Sequence, residues 1–436
     1  MQSLVLERAI GSVTPLEFAS ALTETFYHNI RQVPSNFPAN CHGNGAVNGL
    51  AIDNDYRFLL SGCADSSIKL WDTQSDDDSK STESMMSSRE TTTSSTTSLV
   101  ATIPRKTAHQ FGVSSIEWWP FDTGMFVTGS FDHTIKVWDT NELSVVHSFD
   151  IEHRVYSINV GGNKATGACL VAVGSDHPYI RLLDLRSASS SHTLAGHKGK
   201  TLVVKWHPQN PSILASGGYD GEVKVWDIRR SQSCLYRLDM LQTNTQFDGH
   251  NLTKASVKAH LGPVNGLVWS ETGATLYSGG NDDKIRVWDM DEKLTRPINK
   301  LINFGPLTRN KYPQTIPIML NPNYETEIQY LLFPSDNSDV YIFRTIDGKL
   351  ISRLSRQGPK KVGRTASMAY AGPFSGTYYC GTMDGEILTW SPYYHKPDIE
   401  ELMELAEDAM PKLHRTSDEI AQSRNALLND PFGLRE

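Results

Sequence analysis

The sequence predicts an all-β chain, a seven-bladed β-propeller with an N-terminal helical segment and a helical C-terminal tail. Three observations carry that prediction. A strand ending in Trp-Asp is written four times, a His, a Ser or Thr and an Asp stand at fixed distances ahead of each of those Trp residues, and three degraded copies bring the units to seven. A repeat of this kind marks sheets stacked around an axis, because no single small sheet can bury both of its apolar faces alone.

The full copies are Ile68-Lys69-Leu70-Trp71-Asp72, Ile135-Lys136-Val137-Trp138-Asp139, Val223-Lys224-Val225-Trp226-Asp227 and Ile285-Arg286-Val287-Trp288-Asp289. Each alternates apolar and polar residues, as a half-buried strand requires. Six positions before each Trp stands Asp65, Asp132, Asp220 or Asp282, and ten before it Ser61, Thr128, Ser216 or Ser278. A histidine opens each unit, His42, His109, His197 or His260, at 22 or 23 residues before its Asp. In the degraded copies Ile180-Arg181-Leu182-Leu183-Asp184 puts Leu183 in the Trp slot, and Val340-Tyr341-Ile342-Phe343 puts Phe343 there. The last copy keeps Asp384 and Trp390 but ends in Ser391. Seven units fit residues 41–395 once inserts at about 74–100 and about 231–256 are set aside.

His, Ser or Thr, and Asp are also the residue types of a nucleophilic triad. An enzyme needs one such set at one pocket, whereas this set recurs at fixed spacing in every full unit. The pattern therefore predicts a buried hydrogen-bond chain that ties the strands of each unit together. No catalytic residue, cofactor or metal is expected, because the chain lacks a phosphate-binding glycine loop, a metal-ligand cluster and a unique acid–base pair. Cys41, Cys63, Cys169, Cys234 and Cys380 are odd in number and never form a C-x-x-C pair, which suits neither a disulfide framework nor a zinc site. Cys63, Cys169 and Cys380 fall on or beside strands and read as small core residues.

The formal net charge is −8, so the chain as a whole lacks the positive field that draws proteins onto nucleic acid, and no direct sequence-specific contact with nucleic acid is expected. No window approaches the roughly 18 apolar residues of a membrane helix, so no membrane association is expected. Residues 1–40 do not read as a blade. Thr14-Pro15-Leu16-Glu17 is a capping box with Pro at the first helical position. The helix it opens would line up Leu16, Ala19, Thr23, Phe26, Tyr27 and Ile30 on one side, to be buried against its own ring or against a partner. The polar Ser/Thr tract at about 74–100 reads as a disordered loop between the first two blades. Residues 396–436 read as an acidic amphipathic helix through Ile399, Leu402, Met403, Ala406 and Met410, then a second helix capped at Thr416.

Some segments go beyond the repeat. Trp118-Trp119-Pro120-Phe121-Asp122-Thr123-Gly124-Met125-Phe126, the run Ser130 to Asn141, Cys169-Leu170-Val171-Ala172-Val173-Gly174 and His42-Gly43-Asn44-Gly45 resemble the Cockayne syndrome group A family of WD-repeat proteins. The likeness covers roughly residues 40–290 well and the last two blades weakly. It implies a substrate receptor of a cullin 4-type ubiquitin ligase acting in transcription-coupled nucleotide excision repair in the nucleus. The implied partners are a ligase adaptor of the damaged-DNA-binding type, a Cockayne syndrome group B type ATPase and the RNA polymerase II elongation complex. Receptors of this type carry a box ending in Trp-Asp-x-Arg, which Trp226-Asp227-Ile228-Arg229 matches and Leu183-Asp184-Leu185-Arg186 copies in part. The resemblance thus implies adaptor contacts through Arg229, Asp227, Arg186 and Asp184, and through Leu16, Phe26 and Ile30 of the capped helix. A guanidinium just past the strand can reach a partner carboxylate bidentately, or it can pair within its own blade. A chromatin or ribonucleoprotein scaffold without a ligase connection would use the same fold, since fold alone does not set function.

Overall fold

The computed structural model describes residues 8–33, 37–38, 41–43, 45–74, 97–163, 168–230, 234–243, 258–291, 296–326, 328–356 and 363–392. Within them lie seven four-stranded antiparallel sheets, the predicted seven blades. Blade 1 is Val47–Ile52, Phe58–Cys63, Ile68–Asp72 and Ser98–Ile103, paired in that order. Blades 2 to 6 repeat the meander from Val113 to Asp150, Val155 to Leu194, Thr201 to Arg237, Val264 to Asn299 and Met319 to Leu354. Blade 7 takes three strands from Thr365 to Pro392 and its fourth from Ile30–Val33.

First strands of neighbouring blades pack around the axis, and the sheet faces interdigitate between blades. Leu60, Ile68 and Leu70 of blade 1, for example, meet Val113, Phe126 and Trp138 of blade 2 in one buried cluster. The close approach requires a residue without a side chain. A glycine follows each tetrad hydroxyl, and a Cβ on Gly62, Gly129, Gly217 or Gly279 would lie 2.7–2.8 Å from a Val or Ile of the next blade. That Ser/Thr-Gly pair is a packing signal the sequence carries beside the Trp-Asp strand.

The N-terminal segment departs from the sequence reading. The capping box forms: the Thr14 hydroxyl accepts from the Glu17 backbone at 3.3 Å, and Glu17 accepts from the Thr14 backbone at 2.9 Å. Helix α1, Pro15–His28, then ends at Asn29, and Ile30–Val33 turns into a strand. This strand pairs antiparallel with Ile387–Pro392, Ile30 facing Pro392 and Val33 facing Thr389. Each sequence repeat thus starts with the outer strand of the preceding blade, and the first repeat supplies that strand to the last blade. The ring closes through hydrogen bonds between the two ends of the domain, and Ile30–Val33 covers the edge that Ile387–Pro392 would otherwise present.

The inserts also move. Ser98–Ile103 is the outer strand of blade 1, so the Ser/Thr tract interrupts that blade instead of separating blades 1 and 2, and its residues 75–96 lie outside the described set. Cys234–Arg237 is the outer strand of blade 4 and leaves the second insert, whose residues 244–257 lie outside the described set. Residues 393–436, with the expected tail helices, lie outside it as well. No helix among the described residues is long and apolar enough to cross a membrane.

Candidate functional site

The four histidine-to-tryptophan sets assemble as the spacing predicts. In blade 2, His109 Nδ1 lies 2.9 Å from Asp132 and its Nε2 2.8 Å from the Thr128 hydroxyl, which accepts from the Trp138 indole at 2.8 Å. In blade 4 the links from His197 to Asp220, His197 to Ser216 and Trp226 to Ser216 are 3.1, 2.8 and 2.7 Å. In blade 5 those of His260, Asp282, Ser278 and Trp288 are 2.8, 2.7 and 2.8 Å. Blade 1 inserts a residue: His42 Nδ1 meets Ser67 at 2.9 Å and Ser67 donates to Asp65 at 2.6 Å, while Ser61 joins His42 and Trp71 at 2.7 and 2.9 Å. These buried groups satisfy one another, as burial demands.

Where the Trp is lost, the hydroxyl is lost with it. Val173 stands ten residues before Leu183, and Phe333 ten before Phe343, so both partners become apolar together and neither is left unsatisfied. Blade 7 keeps Trp390 but places Cys380 in the hydroxyl slot. Burial pushes the Cys63, Cys169 and Cys380 thiols up to about 12, the reverse of what a nucleophile needs. A basic residue two before each Trp adds a link not read from the sequence, although all four copies contain it. Lys69, Lys136 and Lys224 donate to the carbonyls of Cys41, Ala108 and Gly196, just before the tetrad histidines, and Arg286 meets Asp282 and His260.

Electrostatics follow the packing. Burial, helped by the nearby Lys69 charge, lowers His42 to about 4 against the opposing pull of Asp65. An unfolded imidazole takes up its proton near pH 6.5, so this ring contributes stability that is fully present above that pH and lost as pH falls to about 4. The contribution is about 3 kcal/mol. Burial disfavours the Asp220 carboxylate, but His197 and the backbone N–H groups of Lys198 and Glu222 outweigh it and hold the group at about 2, so its stability is present above pH 4 and lost only toward pH 2. Urea midpoints measured from pH 7 to 4.5 should therefore fall for the native chain and stay flatter for His42→Gln; parallel profiles would rule out His42 as the source.

The meander defines two edges. The tetrad His and Asp stand on the edge of the second-to-third-strand turns, and the Trp-Asp ends stand on the opposite edge, where third strands finish. Because the closing strand starts beside Pro392, α1 lies on that opposite edge. Glu24 of α1 pairs with Arg344 at 2.7 Å at the end of the third strand of blade 6. Phe26 sits on Gly376, which has φ +58 and whose added Cβ would come within 2.3 Å of the ring. The Tyr27 ring meets that of Tyr330 at a tilt, with centroids 4.6 Å apart, and Thr23, Tyr27 and Ile30 are buried.

The implied adaptor residues are thus divided. Ile30, only 1% exposed, is in the closing strand, and its contacts are within the ring. Phe26 is half-buried on blade 7, and the Leu16 side chain lies outside the described residues. Asp227 is buried and accepts both Arg229 Nε and Nη2 at 3.0 Å, so the bidentate pair forms inside the blade, because the turn returns the guanidinium onto its own strand end. The Arg229 side chain remains 64% exposed. Asp184 caps the Arg186 backbone at 2.9 Å, and Arg186 is exposed.

The sequence reading missed an aromatic group on the same edge. First-to-second-strand turns of blades 6, 7 and 1 carry Tyr324, Phe374 and Tyr56. Tyr324 and Phe374 have centroids 5.9 Å apart, and Tyr56 packs on Gly372. Phe374 adopts φ +57, costly for a bulky residue, yet is 77% exposed. Its N–H donates to Glu325 at 2.6 Å, which holds the turn. No spacing signal marks these residues, since they meet only when the ring closes.

Comparison with known proteins fits this architecture. The WD domain, G-beta repeat family matches residues 35–72, 98–139, 188–227 and 246–289, the repeats that carry complete tetrads. The chain is 30% identical to the WD repeat-containing protein ATCSA-1 of Arabidopsis thaliana over 61% of its own length and 70% of that protein. It is 30% identical to Radiation-sensitive protein 28 of Saccharomyces cerevisiae over 56% of this chain and 51% of that one. It is 26% identical to the Ribosome biogenesis protein ytm1 of Neurospora crassa over 56% and 53%. The chain thus spans about half the length of the last two. It belongs to the WD-repeat β-propeller family and is a non-catalytic scaffold.

Proposed function

We propose that this propeller is the substrate-recognition subunit of a cullin 4-type ubiquitin ligase, acting in the nucleus in transcription-coupled nucleotide excision repair. The observation that carries the reading is the seat of α1. It is fastened to the edge on which the Trp-Asp-x-Arg box ends, beside Tyr324 and Phe374, and it leaves Leu22 exposed. Exposed aromatic side chains beside an anchored helix are the kind of group that supplies most of an interface's binding energy. Similarity to ATCSA-1 over most of that protein supports the reading, as does the name of the yeast relative. In this assignment the α1 edge takes the ligase adaptor of the damaged-DNA-binding type. The tetrad edge holds the group B type ATPase and the RNA polymerase II elongation complex, and ubiquitin transfer is catalysed by partners.

The test is purification of the tagged full chain with Leu22→Asp and Phe374→Asp combined. Adaptor recovery should fall by about 10-fold or more, with the melting transition retained. Unchanged recovery of the adaptor by the folded variant would overturn the assignment. A second reading, a scaffold of a chromatin or ribonucleoprotein complex without a ligase, is favoured by the closure of Arg229 on Asp227 and by the ribosome-biogenesis relatives. These relatives give the broader scaffold role the wider support. Histone or pre-ribosomal proteins without a cullin in the same purification would establish it.

A further inference from the structure

The residue after the Trp slot of the third strand is an acid in five of the seven blades: Asp72, Asp139, Asp184, Asp227 and Asp289. Each has the same local task. Its carboxylate accepts the backbone N–H two residues on, from Gln74, Asn141, Arg186, Arg229 and Asp291, at 2.7–3.2 Å, and so braces the turn that leaves the strand. Blade 7 has Ser391 in the slot, and blade 6 has Arg344, the one cation among the seven. The pairing register places it there: Arg344 faces Tyr330 as Asp72 faces Phe58 and Asp227 faces Ile213.

The turn of blade 6 does not need that cation in order to close. Its acid stands three residues along, at Asp347, which accepts the Lys349 N–H at 3.1 Å, while the Gly348 N–H donates to the Arg344 carbonyl at 2.9 Å. Asp347 also accepts Arg344 Nε at 3.0 Å and its Nη2, a two-point contact that orients the guanidinium and holds the carboxyl at about 2. Nη1 is left for α1, where it donates to Glu24 at 2.7 Å and to the Ser20 hydroxyl at 3.3 Å. Lys349 lies 3.5 Å from the other Glu24 oxygen. The Glu24 and Arg344 side chains are each only 21% exposed, so solvent screens the pair less than it would a surface one.

A helix ahead of the closing strand has two neighbours to choose from, because blade 7 packs between blade 6 and blade 1. On blade 1 the same slot holds Asp72, buried and already engaged by Arg57 at 2.9 Å and by the Gln74 N–H at 2.9 Å. Glu24 would meet a carboxylate there, and like charges brought together disfavour that seat.

We infer that Arg344 is the positioning residue of the α1 edge: the inverted charge in the blade 6 slot, braced by Asp347, selects the seat of α1 through Glu24 and Ser20 and so decides which face of the helix that edge presents. The seat is a property of the chain alone. Its use by a ligase adaptor rests on the function proposed above.

The experiment is hydrogen–deuterium exchange of the full chain, read by mass spectrometry over Pro15–His28, in Glu24→Gln, Arg344→Gln and the double variant. Exchange of the α1 amides should rise by about 10-fold in each single variant, while the Val340–Arg344 strand keeps its native rates. The double variant should stay close to Arg344→Gln, because both changes remove the same contact. Arg344→Asp, which gives blade 6 the residue type of five other blades, should loosen α1 most, since it sets a carboxylate against Glu24. Native α1 rates in Arg344→Asp, or single effects that multiply in the double variant, would overturn the inference. So would equal loosening of the Val340–Arg344 strand, because the effect would then lie in the blade. Adaptor recovery from the same variants separates the two readings: a loosened α1 with full adaptor recovery would count against the adaptor assignment and leave the role of Arg344 standing.

Discussion

Ile30→Asp is expected to open the ring. The side chain is buried among Tyr27, Tyr330, Leu388 and Trp390, and its strand of only four residues carries the closure of the propeller. An aspartate there must either remain ionised without a partner or bind a proton while leaving two oxygens unsatisfied. The expected loss is about 3–5 kcal/mol, the scale of an uncompensated buried charge. Blade 7 should yield first, because it would keep three strands and expose the Ile387–Pro392 edge. Urea unfolding together with limited proteolysis near residue 390 reads this outcome. A midpoint and cleavage pattern equal to those of the native chain would show that the four-residue strand is dispensable.

The second large effect is at blade 4. Lys224 is only 1% exposed, and its Nζ lies 2.7 Å from a carboxylate oxygen of Glu222, itself buried. The contact is an ion pair at close range without the alignment of a hydrogen bond, and that oxygen has no other partner. The other tetrad blades place Ser67, Thr134 or Lys284 at the position of Glu222, and blade 7 has Glu386 there but Leu388 in the lysine slot, so blade 4 alone combines this acid with the lysine. Lys224→Met removes the cation and the donor to Gly196, and should cost about 3–5 kcal/mol because the glutamate is stranded. Glu222→Gln/Lys224→Met should restore most of that loss, since a neutral amide and an apolar chain leave no buried charge. Additive destabilisation in the double variant would show that the pair is not coupled and that the lysine acts only through the Gly196 carbonyl.

The blades were legible for a physical reason. A tetrad is local in sequence, with His, hydroxyl, Asp and Trp all supplied by one turn-rich unit, so its spacing survives as a pattern. That locality also explains the weaker copies: Leu183 with Val173 and Phe343 with Phe333 keep the strand and its apolar faces while dropping the polar chain as a unit. The capping box at Thr14 and Glu17 was readable on the same grounds, since both residues lie in one helical turn. The end of that helix was not. Ile30 continues the apolar face of α1 in projection, yet it pairs with Pro392, a residue more than three hundred and fifty positions away, and no local periodicity distinguishes helix from strand over four residues.

Arg229 illustrates the same limit from the other side. The motif located the guanidinium at the end of a strand, but whether its fork meets a partner or Asp227 is decided by the backbone path of the turn, which here returns it to Asp227. Tyr56, Tyr324 and Phe374 likewise belong to three different repeats and become neighbours only when blades 6, 7 and 1 are brought together. The sequence by itself determined the number of blades and the four tetrads, because these depend on short-range spacing and on repetition. Tertiary structure alone decided which strand closes the ring, which face of α1 is free and which side chains share an edge, because those depend on contacts between segments that are distant in sequence.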